Sequence, residues 1–342
     1  MTDLILAVDG GQTGTTAVLA TVDGTIRGVG RGGPIRHHEE PDAERFVRDS
    51  LLGSVTKAMS GAGNDDTVAI SCLAMTGSTA IADRVIRELV PARTYTALGS
   101  DTFAALASGT AGGGGIGLIA GTGTVALAHG RGGDDVLLGG WGWLLGDEGG
   151  GFWIAMESLK AAARDVDGTG PHTELTREAA ERLGQPDMRS VYNLVTGQRL
   201  DRTAIAALTT SVVTIADAGD VVAASILDSA ADHLADLVVA TVAAAPFLER
   251  GERVIVPSGG VLRPGGWVLN RLVEQLAVRT PEFPVVVPQV PPVIGAYFLA
   301  LAAHGIQIDQ NLRDRVTDQV RALSTLTSKT AIAFPAHSTD SL

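Results

Sequence analysis

The chain has 342 residues, enough for two domains that each bury a core. Its 26 basic and 38 acidic side chains leave a formal net charge of −12, which argues against a nucleic-acid footprint or an anionic membrane surface as partner. A chain 45% apolar and only 19% charged is not disordered.

The first apolar run, residues 4–8, reads as a buried strand. It enters the glycine turn Asp9-Gly10-Gly11-Gln12-Thr13-Gly14, and β-branched residues over 15–22 predict a second strand. Asp23-Gly24 is a hairpin signal, so 25–30 completes a three-stranded meander. Val47, Leu51, Val55 and Met59 recur at helical spacing and predict a helix over 41–59. A strand at 67–75, a helix at 80–89, a strand at 93–98 and a helix at 101–108 follow, an order that belongs to an α/β layer.

The glycine run 112–115 offers no side chains to pack and reads as a hinge. Beyond it the opening pattern restarts: strand 116–120, turn Gly121-Thr122-Gly123-Thr124, strand 125–129, turn Gly132-Gly133, strand 135–138. The strand, Gly/Thr turn, strand order thus occurs twice, about 110 residues apart, as in a duplicated architecture. The second half predicts helices at 148–164, 174–183, 202–218, 220–245, 267–278 and 292–303, with strands at 253–257 and 284–287. The polar, small-residue segment from Ser324 onward is expected to fray. Residues 237–248, the longest apolar stretch, contain Pro246 and follow Asp228, Asp232, His233 and Asp236, so they are too short and too charged upstream to span a bilayer. The start of the chain has no basic leader, and the single cysteine, Cys72, has no internal partner for a disulfide; both lead to the expectation of a soluble cytoplasmic protein.

Glycine, 43 of 342 residues, is the compositional outlier, and it clusters at 9–15, 30–33, 112–124, 139–151 and 258–266. Clustered glycine marks backbone that turns tightly or lies against a ligand. A glycine turn after a buried strand presents N–H groups that can hold phosphate oxygens, and threonine hydroxyls add donors. No GxxxxGK[ST] is present, so the chain has no P-loop, and with three lysines (Lys57, Lys160, Lys329) phosphate charge must be met by backbone dipoles and a metal. Residues 121–126 also fit G-x-G-x-x-A, but a strand rather than a helix is predicted after the turn, which weighs against a dinucleotide fold.

Three acids stand out. Asp9 at the first turn is either a turn former or a carboxylate held to phosphate by Mg²⁺, directly or through water. Asp101, between a strand and a helix, is either a helix-terminal acid or a general base for a hydroxyl. Asp147, within Gly139-Gly140-Trp141-Gly142-Trp143-Leu144-Leu145-Gly146-Asp147-Glu148-Gly149-Gly150, either lines a ligand or caps the next helix. The seven histidines form no metal pattern, and there is no G-x-S-x-G.

DGGQTGT at 9–15, Ser100-Asp101, AGTGT at 120–124 and GGWGWLLGDEGG at 139–150 together resemble the N-acetylglucosamine kinase group of the BadF/BadG/BcrA/BcrD-type ATPases, within the actin/hexokinase/Hsp70 superfamily. The resemblance runs over nearly the whole chain. It implies an α/β fold of two RNase H-like (actin-like ATPase) lobes with a cleft between them. The lobes would be residues 1–112, completed by the helix around 292–305, and 113–324, with 325–342 as a tail. The implied activity is transfer of the ATP γ-phosphoryl group to an amino sugar, N-acetylglucosamine giving its 6-phosphate. Glucosamine, N-acetylmannosamine or glucose are the alternative acceptors, and a non-enzymatic sugar sensor is the alternative role. ATP and Mg²⁺ are the implied cofactors and a homodimer the implied assembly.

Carried over by position, Gly10, Gly11, Gln12 and Thr13 form the first phosphate loop, with Thr122 and Gly123 in the second. Gly219, Asp220, Gly259 and Gly260, after Ser258, lie on the adenosine side. Asp9 is the magnesium-linked acid and Asp101 the base for the sugar 6-hydroxyl. Thr76, Gly77, Thr124, Gly140, Trp141, Gly142 and Asp147 contact sugar. Two positions depart from the group: Arg36 replaces an asparagine common in its members, and Val125 replaces the asparagine after the second turn, so Arg36 or His37 would rebuild the sugar pocket. Related dehydratase activators carry an iron–sulfur cluster held by two cysteines per subunit, which one Cys72 does not supply.

Overall fold

The computed structural model describes residues 2–35, 42–197, 200 and 202–328, with side chains described as far as 323. The meander forms as predicted: β1 (Asp3–Gly11), β2 (Gly14–Thr21) and β3 (Ile26–Gly32) are antiparallel neighbours. Then come α1 (Ala43–Met59), β4 (Thr67–Met75), α2 (Thr79–Leu89) and β5 (Ala92–Leu98), and the first sheet has the order β3-β2-β1-β4-β5 with β1, β4 and β5 parallel. Helix α3 (Thr102–Thr110) leads to the second sheet of β6 (Gly115–Ala120), β7 (Thr124–His129), β8 (Asp135–Gly139) and β9 (Ile255–Ser258). Its order, β8-β7-β6-β9, with two antiparallel pairs and then a parallel one, repeats the first sheet as far as its fourth strand. This is the duplicated architecture of the sequence, and Thr124–His129 is a strand, which removes the dinucleotide reading.

β1 reads as an unbroken apolar run because both its faces are covered. Leu4, Leu6 and Val8 join the core under α1 and α2, whereas Ile5 and Ala7 join the core under α3, α11 (Pro292–Ala303) and α12 (Gln310–Ser328). Tyr297 of α11 is fully buried there, and its hydroxyl donates to Thr21 O at 2.8 Å. The second sheet packs against α4 (Gly151–Val166), α8 (Thr209–Asp217), α9 (Val221–Ala244) and α10 (Trp267–Arg279). A satellite core joins α4 to α5 (Leu175–Arg182), α6 (Met188–Thr196) and α7 (Arg202–Ala206). No helix among the described residues is long and apolar enough to cross a membrane.

Glycine does two different jobs outside the turns. Gly28, Gly30 and Gly32 line one face of β3, and side chains there would begin 2.0, 1.8 and 2.1 Å from the carbonyl oxygens of Ala58, Ser54 and Ser50. The period of two in a strand meets the period of four in α1, so the helix lies directly on the strand backbone. That cluster serves packing rather than a ligand. Likewise a side chain at Gly295 would begin 1.9 Å from Ala104 O, so glycine lets α11 cross α3 at backbone contact.

Several expectations are corrected. The single helix over 202–218 is two, α7 and α8, broken at Ala207-Leu208. The strand at 284–287, hemmed by Pro284 and Pro288, is reduced to one bridge between Ile255 and Val285. Helices α6 and α12 were not anticipated, and α12 continues past Ser324 to Ser328. The segment expected as a hinge lies between the two sheets, where Ala111 and Gly112 take φ of 54° and 81° and a side chain on Gly114 would begin 2.4 Å from Glu252 Oε1. The end of the expected tail, 329–342, lies outside the described residues.

Candidate active site

Strand parity sets the first acid. Ile5, Ala7 and Asp9 alternate onto the face that meets α3, so the carboxylate emerges at the C-terminal end of β1 towards that helix. Gly10 turns the other way, with Met75 and Ile35 crowding its missing side chain, while Gly11 returns to the α3 face, 3.3 Å from Asp101 Oδ2 measured to where a side chain would begin. Asp101 occupies the N-cap position of α3 but makes no capping bond. Ser100 supplies that contact instead, its hydroxyl accepting from Thr102 N at 3.1 Å. Asp101 is therefore left to face Asp9 and Gly11.

The second turn is built against the loop that follows β8. Gly151 N donates to Gly121 O at 2.7 Å and Phe152 N to Thr122 O at 3.1 Å, fastening the turn to the start of α4. Its carbonyls thus point at the helix, while the N–H groups of Thr122 and Gly123 donate to no carbonyl among the described residues. Asp147 does not cap α4, whose N-cap is Gly150. Its carboxylate accepts from Thr124 N at 3.1 Å, and a side chain on Gly123 would begin 2.4 Å from its Oδ2. A non-glycine residue at φ 62° is costly backbone of the kind held in place at working sites.

Both turns open on the same crevice. One cavity of about 410 Å³ is lined by Asp9, Gly11, Gln12, Thr13, Thr76, Asp101, Thr122, Gly123, Thr124, Gly140, Gly142, Asp147, Gly259 and Gly260. A neighbouring, more apolar cavity of about 470 Å³ runs between α7, α8 and the start of α10, past Ala206, Val213, Val261 and Trp267. The two share Thr13, Gly121, Thr122 and Gly260. Gly10 and Gly77 line neither cavity but are next in sequence to residues that do, Gly77 at φ 88° in the bend after β4. Leu137, which the motifs alone leave out of the pocket wall, lines the first cavity beside Val125, and alternation along antiparallel β7 and β8 would have found it.

Three expected residues are elsewhere. Trp141 points outward at 74% exposure while its neighbours Gly140 and Gly142 line the crevice. Gly219 and Asp220 line neither cavity. Asp220 is the N-cap of α9: it accepts from Val222 N and Ala223 N, both at 2.9 Å, and from Thr173 Oγ1 and Glu174 N, both at 2.8 Å. Those donors use the whole carboxylate, leaving nothing for a nucleotide. Arg36 and His37 lie outside the described residues.

The crevice is an acidic place to hold phosphate. Asp9, Asp101 and Asp147 line it, and Arg263 is the one cationic side chain bordering either cavity among the described residues. Burial, with the charge of Asp101 added, pushes Asp9 up to about 8. Burial pushes Asp101 up to about 6, against the hydrogen bonds around it. Such shifts mark carboxylates that lack a partner for their charge. No hydrogen-bond donor among the described residues reaches the Asp9 carboxylate, so it is a hard oxygen ligand facing open space. Mg²⁺ is typically held by one or two carboxylates, with substrate phosphates and water completing the octahedron, so the donor set fits it. There is no cluster of three or more His, Cys, Asp or Glu for a metal bound by protein alone among the described residues. Cys72 is buried in β4, its thiol pushed up to about 12 by burial, and is no cluster ligand.

Known proteins resemble this chain over most of its length. The model of the BadF/BadG/BcrA/BcrD ATPase family matches residues 6–300. The chain belongs to that family. Among curated proteins similar to it, the N-acetylmuramic acid/N-acetylglucosamine kinase of Clostridium acetobutylicum is 25% identical over 302 residues, covering 86% of this chain and 97% of that protein. The N-acetyl-D-glucosamine kinase of Dictyostelium discoideum is 26% identical over 315 residues, covering 87% and 98%. Among solved structures, a Chromobacterium violaceum protein provisionally assigned as an N-acetylglucosamine kinase superposes with a TM-score of 0.70 at 23% identity, over 87% of this chain and 99% of that one. A ROK family glucokinase from Streptomyces griseus, solved with glucose and AMPPNP, gives 0.57 at 16% over 88% and 99%. This family member therefore has the two-lobed α/β fold of these kinases.

Proposed function

We propose that this protein is an ATP-dependent sugar kinase that phosphorylates the 6-hydroxyl of N-acetylglucosamine. The observation that carries the reading is the junction at Thr13 and Thr122, where a polar, acid-lined cavity of sugar size meets an apolar cavity of base size. A nucleotide with its base in the apolar cavity would pass its phosphates between the two turns and deliver the γ-phosphate beside Asp101. The curated relatives named above act on N-acetylated amino sugars, which supports the acceptor class.

The first turn, Gly10 to Thr13, and the second, Thr122 and Gly123, present backbone N–H groups and threonine hydroxyls to phosphate oxygens from opposite sides. Thr76, Thr124, Gly140, Gly142 and Asp147 hold the sugar. Asp147 also fixes the second turn through Thr124 N, which couples sugar position to phosphate position. Asp101 accepts the proton of the attacking hydroxyl while the new O–P bond forms and the bond between the γ-phosphorus and the bridging oxygen of ADP breaks. A carboxyl titrating near 6 is mostly ionised at neutral pH, as this role requires. Bound at Asp9, Mg²⁺ would neutralise phosphate charge that the sparse cations of the crevice leave uncompensated. Excluding water at closure protects ATP from hydrolysis, and we place the flexure at Gly112–Gly115, between lobes 1–112 and 113–324. The reading includes Gly259 and Gly260 beside the nucleotide and a homodimer in solution, the latter measurable by light scattering.

A coupled ADP-release assay over N-acetylglucosamine, N-acetylmuramic acid, N-acetylmannosamine, glucosamine and glucose tests it. The highest kcat/KM is expected for N-acetylglucosamine. ADP release with none of these sugars above the water-only rate would overturn the kinase reading in favour of a non-enzymatic sugar sensor.

A further inference from the structure

Behind the hinge, away from the crevice, lies a separate cavity of about 370 Å³. Its walls are Thr110 to Gly113 at the end of α3, Ala302 and Gly305 to Ile308 after α11, Arg131 from the turn between β7 and β8, and Arg313 on α12. Arg313 Nε is buried without an acceptor and its guanidinium has no carboxylate partner among the described residues, in a protein of net charge −12. Arg131 leaves most of its side chain in solvent, and its Nε makes a long ion pair of 4.0 Å with Glu252. Its terminal nitrogen also approaches Gly113, 3.4 Å from where a side chain would begin there. Two guanidiniums thus border one cavity of small-ligand size, one carried by each sheet's own elements. Between them run the backbone positions at positive φ, Ala111 and Gly112.

We propose that this cavity is an anion site for a small phosphomonoester, clasped by Arg131 and Arg313 and acting on the hinge. Planar guanidiniums pair with phosphate oxygens two at a time, and a dianion answers two cations where a single carboxylate would not. The volume exceeds that of a bare phosphate and leaves room for a body of a few carbon atoms. A ligand held by both arginines fixes the separation of the two halves at the point where they flex. If it prefers one hinge angle it shifts affinity in the crevice, and crevice ligands shift its own affinity by the same factor.

Calorimetric titration of inorganic phosphate and of glycerol 3-phosphate into the full chain, saturated with Mg–AMPPNP so that the crevice is filled, tests the site. One binding event is expected, tighter for the ester if the body of the ligand is recognised and equal for both if only the phosphate is. Arg131→Ala or Arg313→Ala should weaken it about tenfold or more, and the pair of substitutions should abolish it while AMPPNP binding is unchanged. Arg131 is largely exposed, so its variant should fold; Arg313→Lys keeps stem and charge should Arg313→Ala fail to. The two arginines could instead merely offset the carbonyl ends of α3 and α11. In that case the variants would lose the same melting temperature with and without phosphate. That result, unchanged binding in the double variant, or no binding up to about 10 mM, would overturn the proposal. Each readout is a difference between wild type and variant in binding, so it stands whether or not the protein transfers phosphate to sugar.

Discussion

Asp101→Asn should make the protein worse at its work and harder to melt. The carboxyl titrates near 6 in the folded protein against 3.8 as a free side chain. A folded pKa raised above the unfolded value contributes stability that is complete below the unfolded value and is lost as pH rises through the folded one. Asparagine carries no charge to desolvate, so it matches the wild type at pH 4 and leads it at pH 8. A rise from 3.8 to about 6 corresponds to about 3 kcal/mol at most. The crevice is open to water and can relax, so about 1–2 kcal/mol is the expected gain at pH 8, or a few degrees in Tm for a chain of this size. The substitution also removes a charge that raises Asp9, which extends the gain towards pH 8. Turnover should fall by about 10²–10⁴ because asparagine does not accept the hydroxyl proton, with little change in KM for ATP. Melting curves from pH 4 to 9 without ligand, set beside steady-state kinetics, read both arms. A lower Tm at pH 8, an equal shift at pH 4 and 8, or turnover within a few-fold of wild type would refute the reasoning.

Asp220→Ala should lower stability by about 1–2 kcal/mol through loss of the α9 cap, while KM for ATP stays put; a large rise in that KM would return Asp220 to the nucleotide. Gly30→Ala drives a methyl to 1.8 Å from Ser54 O and should cost about 3 kcal/mol or more, seen as a depressed denaturation midpoint, whereas Gly33→Ala, whose methyl meets nothing within 4 Å among the described residues, should be near neutral. Cys72, buried at the centre of β4, should resist iodoacetamide in the native protein and react fully once denatured; fast labelling of the native state would contradict its burial.

The features most legible in the sequence are those set by short-range pattern. The doubled strand-turn-strand motif is visible because β1 and β6 are covered on both faces and must be apolar throughout, with glycine forced wherever the chain reverses. Asp9 and Asp101 are findable because each stands at the C-terminal end of a parallel strand, where an open α/β sheet places its ligands. What escaped depends on contacts far apart in the chain. Asp220 looks like a loop acid until Thr173 and Glu174, 47 and 46 residues upstream, are seen to donate to it. The glycines of β3 look like a ligand loop until α1 is seen lying across them. Helix α12 did leave a trace: Leu312, Val316 and Val320 recur every fourth residue and join the core of the first sheet, a stripe one residue wide on an otherwise polar helix. The choice between a capping and a lining role for Asp147 needed the position of Thr124 N, which no spacing contains.

Asp9 and Asp101 bring together what the charge count and the fold say separately. An acidic chain with few lysines is a poor container for a triphosphate, and its crevice adds carboxylates where phosphates would lie. Burial raises both carboxyls, and the charge of Asp101 adds to the rise at Asp9, so removing either would relieve the empty protein. They persist because the repulsion belongs only to the empty state: a divalent cation beside Asp9 and a hydroxyl donating to Asp101 each convert a liability into a contact. Binding of metal–nucleotide and sugar should therefore pull both carboxyls back down and release protons, up to two below about pH 6, where the empty protein holds both, and up to one between about 6 and 8, where it holds only that on Asp9. Strand parity makes this arrangement: because Ile5 and Ala7 must face α3 to fill the core, Asp9 two residues on has no other side to face, and the same alternation returns Gly11 to Asp101.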